Sequence, residues 1–349
     1  MISLSKILQL NSLAQFLAMY WGLLSQQGQA PEKALRAHTG TLLGDKMYVI
    51  GGCDRQGCWR GVCTYNTESH VWARLCPTGV TLPPLRAHTT TPVGNVLYVF
   101  GGGDGPTYSN DVWAYHTLDS KWVKPNIITP KNSWPLQRRA HTTVHYKDFL
   151  VVFGGGNGQA ALNDVWALKI SDPDELTWEE WKATGDVPVQ KGYHTANLVG
   201  SKMLVYGGSD GNHSFSDIHV LDLETMVWTM VHTQLQFSRL SHTATQVGSY
   251  LFIIGGHDGH KYAQDVLFLN LDTLEWESKV ISGKIPVGRG YHVSVLHDNR
   301  LIMFAGYNGV NHFDDLWTLE LASSAYLQQV NGFQIDETAK RVAVARKDA

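Results

Sequence analysis

A block of some fifty residues recurs six times along this chain, and that period constrains the fold more than any other feature. Each copy opens at a histidine, at His38, His88, His141, His194, His242 and His292, with steps of 50, 53, 53, 48 and 50 residues. Threonine follows five of them and Val293 the sixth. A hydrophobic run then closes on a glycine pair, whose second members are Gly52, Gly102, Gly155, Gly208 and Gly256; the sixth copy carries Ala305-Gly306. Nine residues further on stands Asp111, Asp164, Asp217, Asp265 or Asp315, with Gly61 in the first copy. Trp72, Trp122, Trp228 and Trp276 follow at twenty residues; Trp178 is displaced by three, and Tyr326 takes the place in the sixth copy. A unit this short cannot bury its apolar face alone, so copies must stack on one another.

Within a copy the β-branched and aromatic residues fall in short runs separated by turn residues. In the second copy they predict strands at 89–93, 96–100, 112–116 and 121–124. Asp-Gly or Asn-Gly follows the glycine pair in five copies, as at Asp104-Gly105 and Asp258-Gly259, and suits tight connections that need φ > 0. The paired glycines read as sites of close backbone approach. Four strands per copy make a propeller blade.

The hydrophobic run, double glycine, later aromatic and spaced Trp resemble the kelch repeat, over residues 36 to about 320. The chain is thus identified as an all-β, six-bladed kelch β-propeller. The stretches 40–72 and 238–259 look like stand-alone fungal kelch-repeat proteins. A propeller must close its ring or leave sheet edges exposed. Trp21 precedes His38 by 17 residues, near the 16 between Trp72 and His88, so the strand around Trp21 is expected to complete the sixth blade, with the segment at Tyr326 as its competitor. This divides the chain into an N-terminal extension, 1–18, with helical spacing of its apolar residues, a propeller, 19–330, and a polar tail, 331–349.

Net charge of −3 argues against a general attraction to nucleic acid or anionic lipid. No apolar run reaches the roughly 18–20 residues of a membrane span. The start, with Lys6 and an apolar 13–24, also resembles a signal peptide, but cleavage after Ala30 would remove the closing strand. Cys53, Cys58, Cys63 and Cys76 are too few for a disulfide framework and lack a C-x2-C pair for zinc. They read as ordinary thiols of a reducing compartment, and the expected localisation is cytoplasmic.

Catalytic signatures do not emerge. Glycine-rich 101–105 lacks a following Lys-Ser/Thr, and there is no Gly-x-Ser-x-Gly elbow. The six repeated histidines read as structural, and loop histidines such as His213, His257, His260 and His312 have no metal-ligand spacing. No cofactor or metal is expected, although kelch scaffolds also carry copper oxidases and specifier proteins. A basic residue two or three places before each repeat histidine gives Arg36, Arg86, Arg139 (beside Arg138), Lys191, Arg239 and Arg289. These either pair with turn acids such as Asp104 and Asp258, or form a basic ring that grips an acidic peptide. Trp59, Tyr108, Phe215, Tyr262 and Phe313, in turns that differ between blades, would add specificity. The expectation is a non-catalytic, monomeric scaffold or adaptor for an unidentified protein. The alternatives are a substrate receptor recruited to a ubiquitin ligase and a metal-dependent enzyme using loop-face histidines.

Overall fold

The computed structural model describes residues 19–321, in which six antiparallel sheets surround a central channel. The second blade comprises Thr89–Val93, Val96–Phe100, Val112–His116 and Lys121–Val123, matching the strands predicted from β-propensity and turns. Its innermost strand lines the channel, and successive antiparallel partners step outward. The second strands are buried on both faces, as Met47, Tyr48, Val49 and Ile50 illustrate, because each blade is covered by a neighbour on either side.

The core accordingly lies between blades. Blades one and two share Ile50, Val62, Val99, Tyr115 and Trp122 in one cluster. The repeated Trp serves this joint: its ring meets the residue that precedes the glycine pair of the blade before. Trp178 lies 4.9 Å from Phe100, Trp228 5.0 Å from Phe153, Trp276 5.3 Å from Tyr206 and Trp72 4.8 Å from Phe304. Trp21 packs with Ile254 in the same way.

Met19–Leu24 is the outer strand of the sixth blade, antiparallel to His312–Glu320, with Trp21 opposite Leu319. The outer edges are also stitched. Thr78–Gly79, leaving blade one, runs parallel to the outer strand of blade two; Ile281–Gly283, leaving blade five, runs parallel to Met19–Trp21; and Gln27–Gly28 then joins blade one. These short ladders cover edges that would otherwise be open to another chain. The competing Tyr326, the N-terminal extension and the C-terminal tail lie outside the described residues.

Around the channel the blades are joined by a closed circle of peptide hydrogen bonds. The N–H of Ala87 donates to Ala37, Ala140 to Ala87, Tyr193 to Ala140, Ser241 to Tyr193, Tyr291 to Ser241 and Ala37 to Tyr291, all at 2.7–2.9 Å. All six residues have φ between 52° and 60°, a region costly for side-chain-bearing residues, and the mutual bonds hold them there. A second set runs from the second glycine of each pair, or Gly306, to the residue three before the next histidine, as in Gly102 N–H to the Arg138 carbonyl at 2.9 Å. The glycines are required by this closeness. A Cβ on Gly101, at φ 66°, would lie 2.7 Å from the His141 ring and 2.9 Å from the Arg138 carbonyl.

Each repeat histidine is buried beside the circle, and five share a hydrogen bond through Nε2 with the threonine of the preceding blade. Thr39 meets His88 at 3.1 Å, Thr89 His141 at 3.1 Å, Thr142 His194 at 2.9 Å, Thr195 His242 at 2.9 Å and Thr243 His292 at 3.2 Å. The sixth joint departs from this. Val293 offers no hydroxyl, and both His38 nitrogens are without a partner. Ala305 stands where the other blades place a glycine against the ring, and a Cβ on Gly40 would meet Val293 Cγ2 at 2.6 Å. The joint between the last blade and the first is therefore packed differently from the other five.

Two outcomes are expected. Trp21→Ala should destabilise the fold by about 3–5 kcal/mol and Trp21→Phe by clearly less, read as urea midpoints; equal midpoints for Trp21→Ala and wild type would contradict closure by this strand. Burial also holds all six imidazoles neutral, lowering His38, His88, His194 and His292 to about 3 and His141 and His242 well below the usual value. Unfolding restores the ordinary value near 6.5. The stabilisation is therefore complete above pH 6.5 and is lost as pH falls below it, because only the unfolded chain takes up the protons. Each histidine contributes up to about 1.4 kcal/mol per pH unit. A thermal midpoint that stays level from pH 7.5 to 5 would contradict this.

Candidate functional site

The loops following the glycine pairs and those preceding the histidines meet on one face of the ring. Arg36 and Cys53, for example, exchange two backbone hydrogen bonds at 3.0 Å. The basic residues expected here divide into two classes. Three places before the histidine stand Leu35, Leu85, Arg138, Lys191, Arg239 and Arg289; two places before stand Arg36, Arg86, Arg139, Gly192, Leu240 and Gly290.

The four cations of the first class are buried, and each binds the aspartate nine residues beyond the glycine pair of its own blade. Arg138 forks onto Asp164 at 2.7 and 2.8 Å and reaches the Gly154 carbonyl at 2.9 Å. Lys191 contacts both Asp217 oxygens at 2.7 Å, Arg239 reaches Asp265 at 2.6 Å, and Arg289 forks onto Asp315. The acids are braced in turn by Trp166, His219 and Trp317. Burial pushes the Asp164 carboxyl up, yet the hydrogen bonds and charge of Arg138 outweigh it, and the net shift is downward. Phe215 and Phe313 cover these pairs, 4.7 Å from Lys191 and 3.7 Å from Arg289. This corrects the expectation for Lys191, Arg239 and Arg289, which are buried inside the blade; Phe215 and Phe313 stay partly exposed beside them. It also corrects the expected acids, since Asp104 and Asp258 are not the partners. Blade one, with Leu35 and Gly61, lacks both halves of the pair; blade two has Leu85, and its Asp111 turns to Lys124 at 3.0 Å.

The second class stays in the mouth. Arg36, Arg86 and Arg139 are half-buried, adjacent in the ring on blades one to three, and none has a carboxylate partner among the described residues. Arg36 lies over Tyr307 at 4.6 Å. Arg86 directs Nη1 at Cys53 Sγ, 3.4 Å away. Arg139 lies over Tyr108 at 3.9 Å and donates to its hydroxyl at 2.6 Å and to the Gly105 carbonyl at 3.0 Å. Blades four to six answer with Tyr193, Ser241 and Tyr291; the two phenols meet edge to face at 5.7 Å. The mouth thus has a cationic arc and an aromatic arc. Between them a cleft of about 260 Å3 is lined by Tyr108, Arg139, Gly158, Tyr193 and Asp210. Tyr262 joins this face through Tyr307 at 6.1 Å and His257 at 4.7 Å, while Trp59 is half-buried against the core. Sequence reading missed Tyr193 and Tyr291. The neighbouring Gly192 and Gly290 are the available signal, because a large side chain alternates there with none.

Loop histidines do not converge. His213 turns to Asp210 at 3.2 Å, and His312 packs on Tyr307 at 4.6 Å. Among the described residues, the group with three donor atoms mutually within 4.8 Å is Glu68, His297 and Asp298, on the opposite face, where Arg300 lies 3.7 Å from Glu68. Asp164→Asn, which strips the countercharge from a fully buried guanidinium, should cost about 3–5 kcal/mol, while Asp104→Asn should stay within about 0.5 kcal/mol. Chemical denaturation measures both, and comparable losses would contradict the assignment of partners.

Comparison with known proteins agrees with this geometry. The KLHDC2/KLHL20/DRC7 Kelch-repeats domain matches residues 6–155, 126–238 and 231–345. The Drosophila melanogaster Leucine-zipper-like transcriptional regulator 1 homolog is 27% identical over 202 residues, 56% of this chain and 16% of that protein. Acyl-CoA-binding domain-containing protein 5 of Arabidopsis thaliana is 38% identical over 102 residues, 29% of this chain and 15% of its own length. Acyl-CoA-binding domain-containing protein 6 of Oryza sativa subsp. japonica is 27% identical over 209 residues, 60% of this chain and 25% of its own length. The chain therefore spans a quarter or less of these relatives, which do not show the narrower fungal likeness. Six blades, the repeated histidine and glycine joints and a match running through all six copies make this chain a member of the kelch-repeat β-propeller family.

Proposed function

We propose that the chain is a non-catalytic interaction module whose loop face docks an acidic segment of a partner protein. The observation that carries this reading is the division of the cations. Four are neutralised inside the blades, whereas Arg36, Arg86 and Arg139 stand together in the mouth with no carboxylate partner among the described residues. Guanidinium groups in a half-buried setting bind carboxylates through paired, charge-assisted hydrogen bonds. The facing Tyr193 and Tyr291 add apolar contact area of the kind that anchors interfaces. Four unpaired thiols, with Cys76 exposed, fit the cytoplasmic setting expected for such a module.

Fluorescently labelled deca-glutamate, titrated and followed by anisotropy, tests the reading. Arg86→Ala with Arg139→Ala should weaken binding at least about tenfold while the urea midpoint changes little. Equal affinity of the double variant and the wild type would overturn the acidic-ligand reading, as would equal binding of deca-lysine.

A further inference from the structure

Cys53 and Cys58 face each other between Arg36 and Arg86. Trp59 N–H donates to the Gly52 carbonyl at 2.8 Å and Asp54 N–H to the Gly57 carbonyl at 3.1 Å, so these bonds flank the pair. The two cysteines are therefore the non-hydrogen-bonded partners of an antiparallel bridge. Such partners hold their Cα atoms about 4.5 Å apart, inside the about 4.4–6.8 Å that a disulfide spans. Both thiols are free; Cys53 is buried and Cys58 partly exposed. Tight Asx-turn bonds from Gln56 and Gly57 N–H to Asp54 Oδ1, at 2.8 and 3.1 Å, fix the connection between them.

We propose that Cys53 and Cys58 are a modification site, closed by a two-electron oxidant such as hydrogen peroxide into an intramolecular disulfide. The chemistry favours Cys53 as nucleophile. A hydrogen bond from Cys58 pushes its thiol down to about 5 against the opposing effect of burial, Arg86 and Arg36 act in the same direction, and the same contact pushes Cys58 up. Of the two sulfurs, Cys53 is therefore the one held toward the thiolate, and Cys58 Sγ donates to the Gly103 carbonyl at 3.7 Å. Cys53 sulfur attacks a peroxide oxygen, the O–O bond breaks, and the departing hydroxide becomes water on taking up a proton. Cys58 then attacks the resulting sulfenic sulfur; the S–S bond forms, the S–O bond breaks, and the Cys58 proton leaves with the second water. Two thiols give up two electrons and peroxide accepts them.

Closure has an electrostatic consequence. The Cys53 sulfur that Arg86 faces at 3.4 Å can no longer be a thiolate once it is in a disulfide, which leaves more of the Arg86 charge to an acidic ligand, so the oxidised mouth binds one more tightly. This consequence, unlike the disulfide itself, rests on the proposed docking function.

The test uses the full chain carrying Cys76→Ser, which removes the exposed thiol, treated with peroxide and then with dithiothreitol. Peptide mass mapping should show a reversible Cys53–Cys58 linkage, absent from Cys58→Ser; no linkage, or irreversible oxidation of Cys53 alone, would overturn the site. Deca-glutamate should bind the oxidised form about three- to tenfold more tightly than the reduced form. A linkage that forms without changing affinity would overturn the coupling. Failure of deca-glutamate to bind either form would overturn the docking function and the coupling with it, while mass mapping would still decide the disulfide.

Discussion

The circle of six peptide hydrogen bonds around the channel is the interaction on which the rest of the structure depends. It forces each blade to turn at one residue with positive φ immediately before the repeat histidine. Those residues are held in a costly backbone region only because each donates to one neighbour and accepts from the other. With that turn fixed, the next residue must point inward, and a histidine there can reach the threonine of the preceding blade. The glycine pairs follow from the same closeness: backbone carbonyls and imidazole edges occupy the space where a Cβ would stand.

A circle closes only if its last joint fits, and the exceptions to the repeat gather there. Ala305 replaces the first glycine, Val293 replaces the threonine, Gly40 makes room for Val293, and His38 keeps two unpartnered nitrogens. This joint lacks the imidazole–hydroxyl bond of the other five. It retains the two backbone links, Ala37 to Tyr291 and Gly306 to Leu35, while the outer strand of blade six, Met19–Leu24, comes from the other end of the chain. Because that strand lies far in sequence from His312–Glu320, ring closure is a long-range event of the kind that slows folding.

The circle also sets the chemistry of the mouth. The position just before the turn carries arginine on blades one to three, where the turn residue is alanine, whereas on blades four and six it is glycine and the turn residue itself is Tyr193 or Tyr291, so the ring splits into a cationic and an aromatic arc. One residue earlier the backbone directs side chains back into the blade, where a cation meets an aspartate. A shift of a single position thus separates a structural guanidinium from one available to a partner. Arg138 and Arg139, adjacent in the chain, illustrate both.

The sequence by itself determined the period, the blade count and the strand positions within a blade, and it offered Trp21 as a closing residue beside the competing Tyr326. Those properties depend on local propensity and on spacing between equivalent residues, which are written along one dimension. Only the tertiary structure decided which basic residues are buried, because that depends on the direction of the backbone at a turn with positive φ. It alone decided that the partner of Arg138 is Asp164 and not a turn acid, that Tyr193 meets Tyr291 across an intervening blade, and that Cys53 and Cys58 stand opposite one another without hydrogen bonds between them. The tyrosine contact joins blades whose relative placement is fixed by closing the ring, and the other two depend on how the strands and turns of one blade bring its segments together.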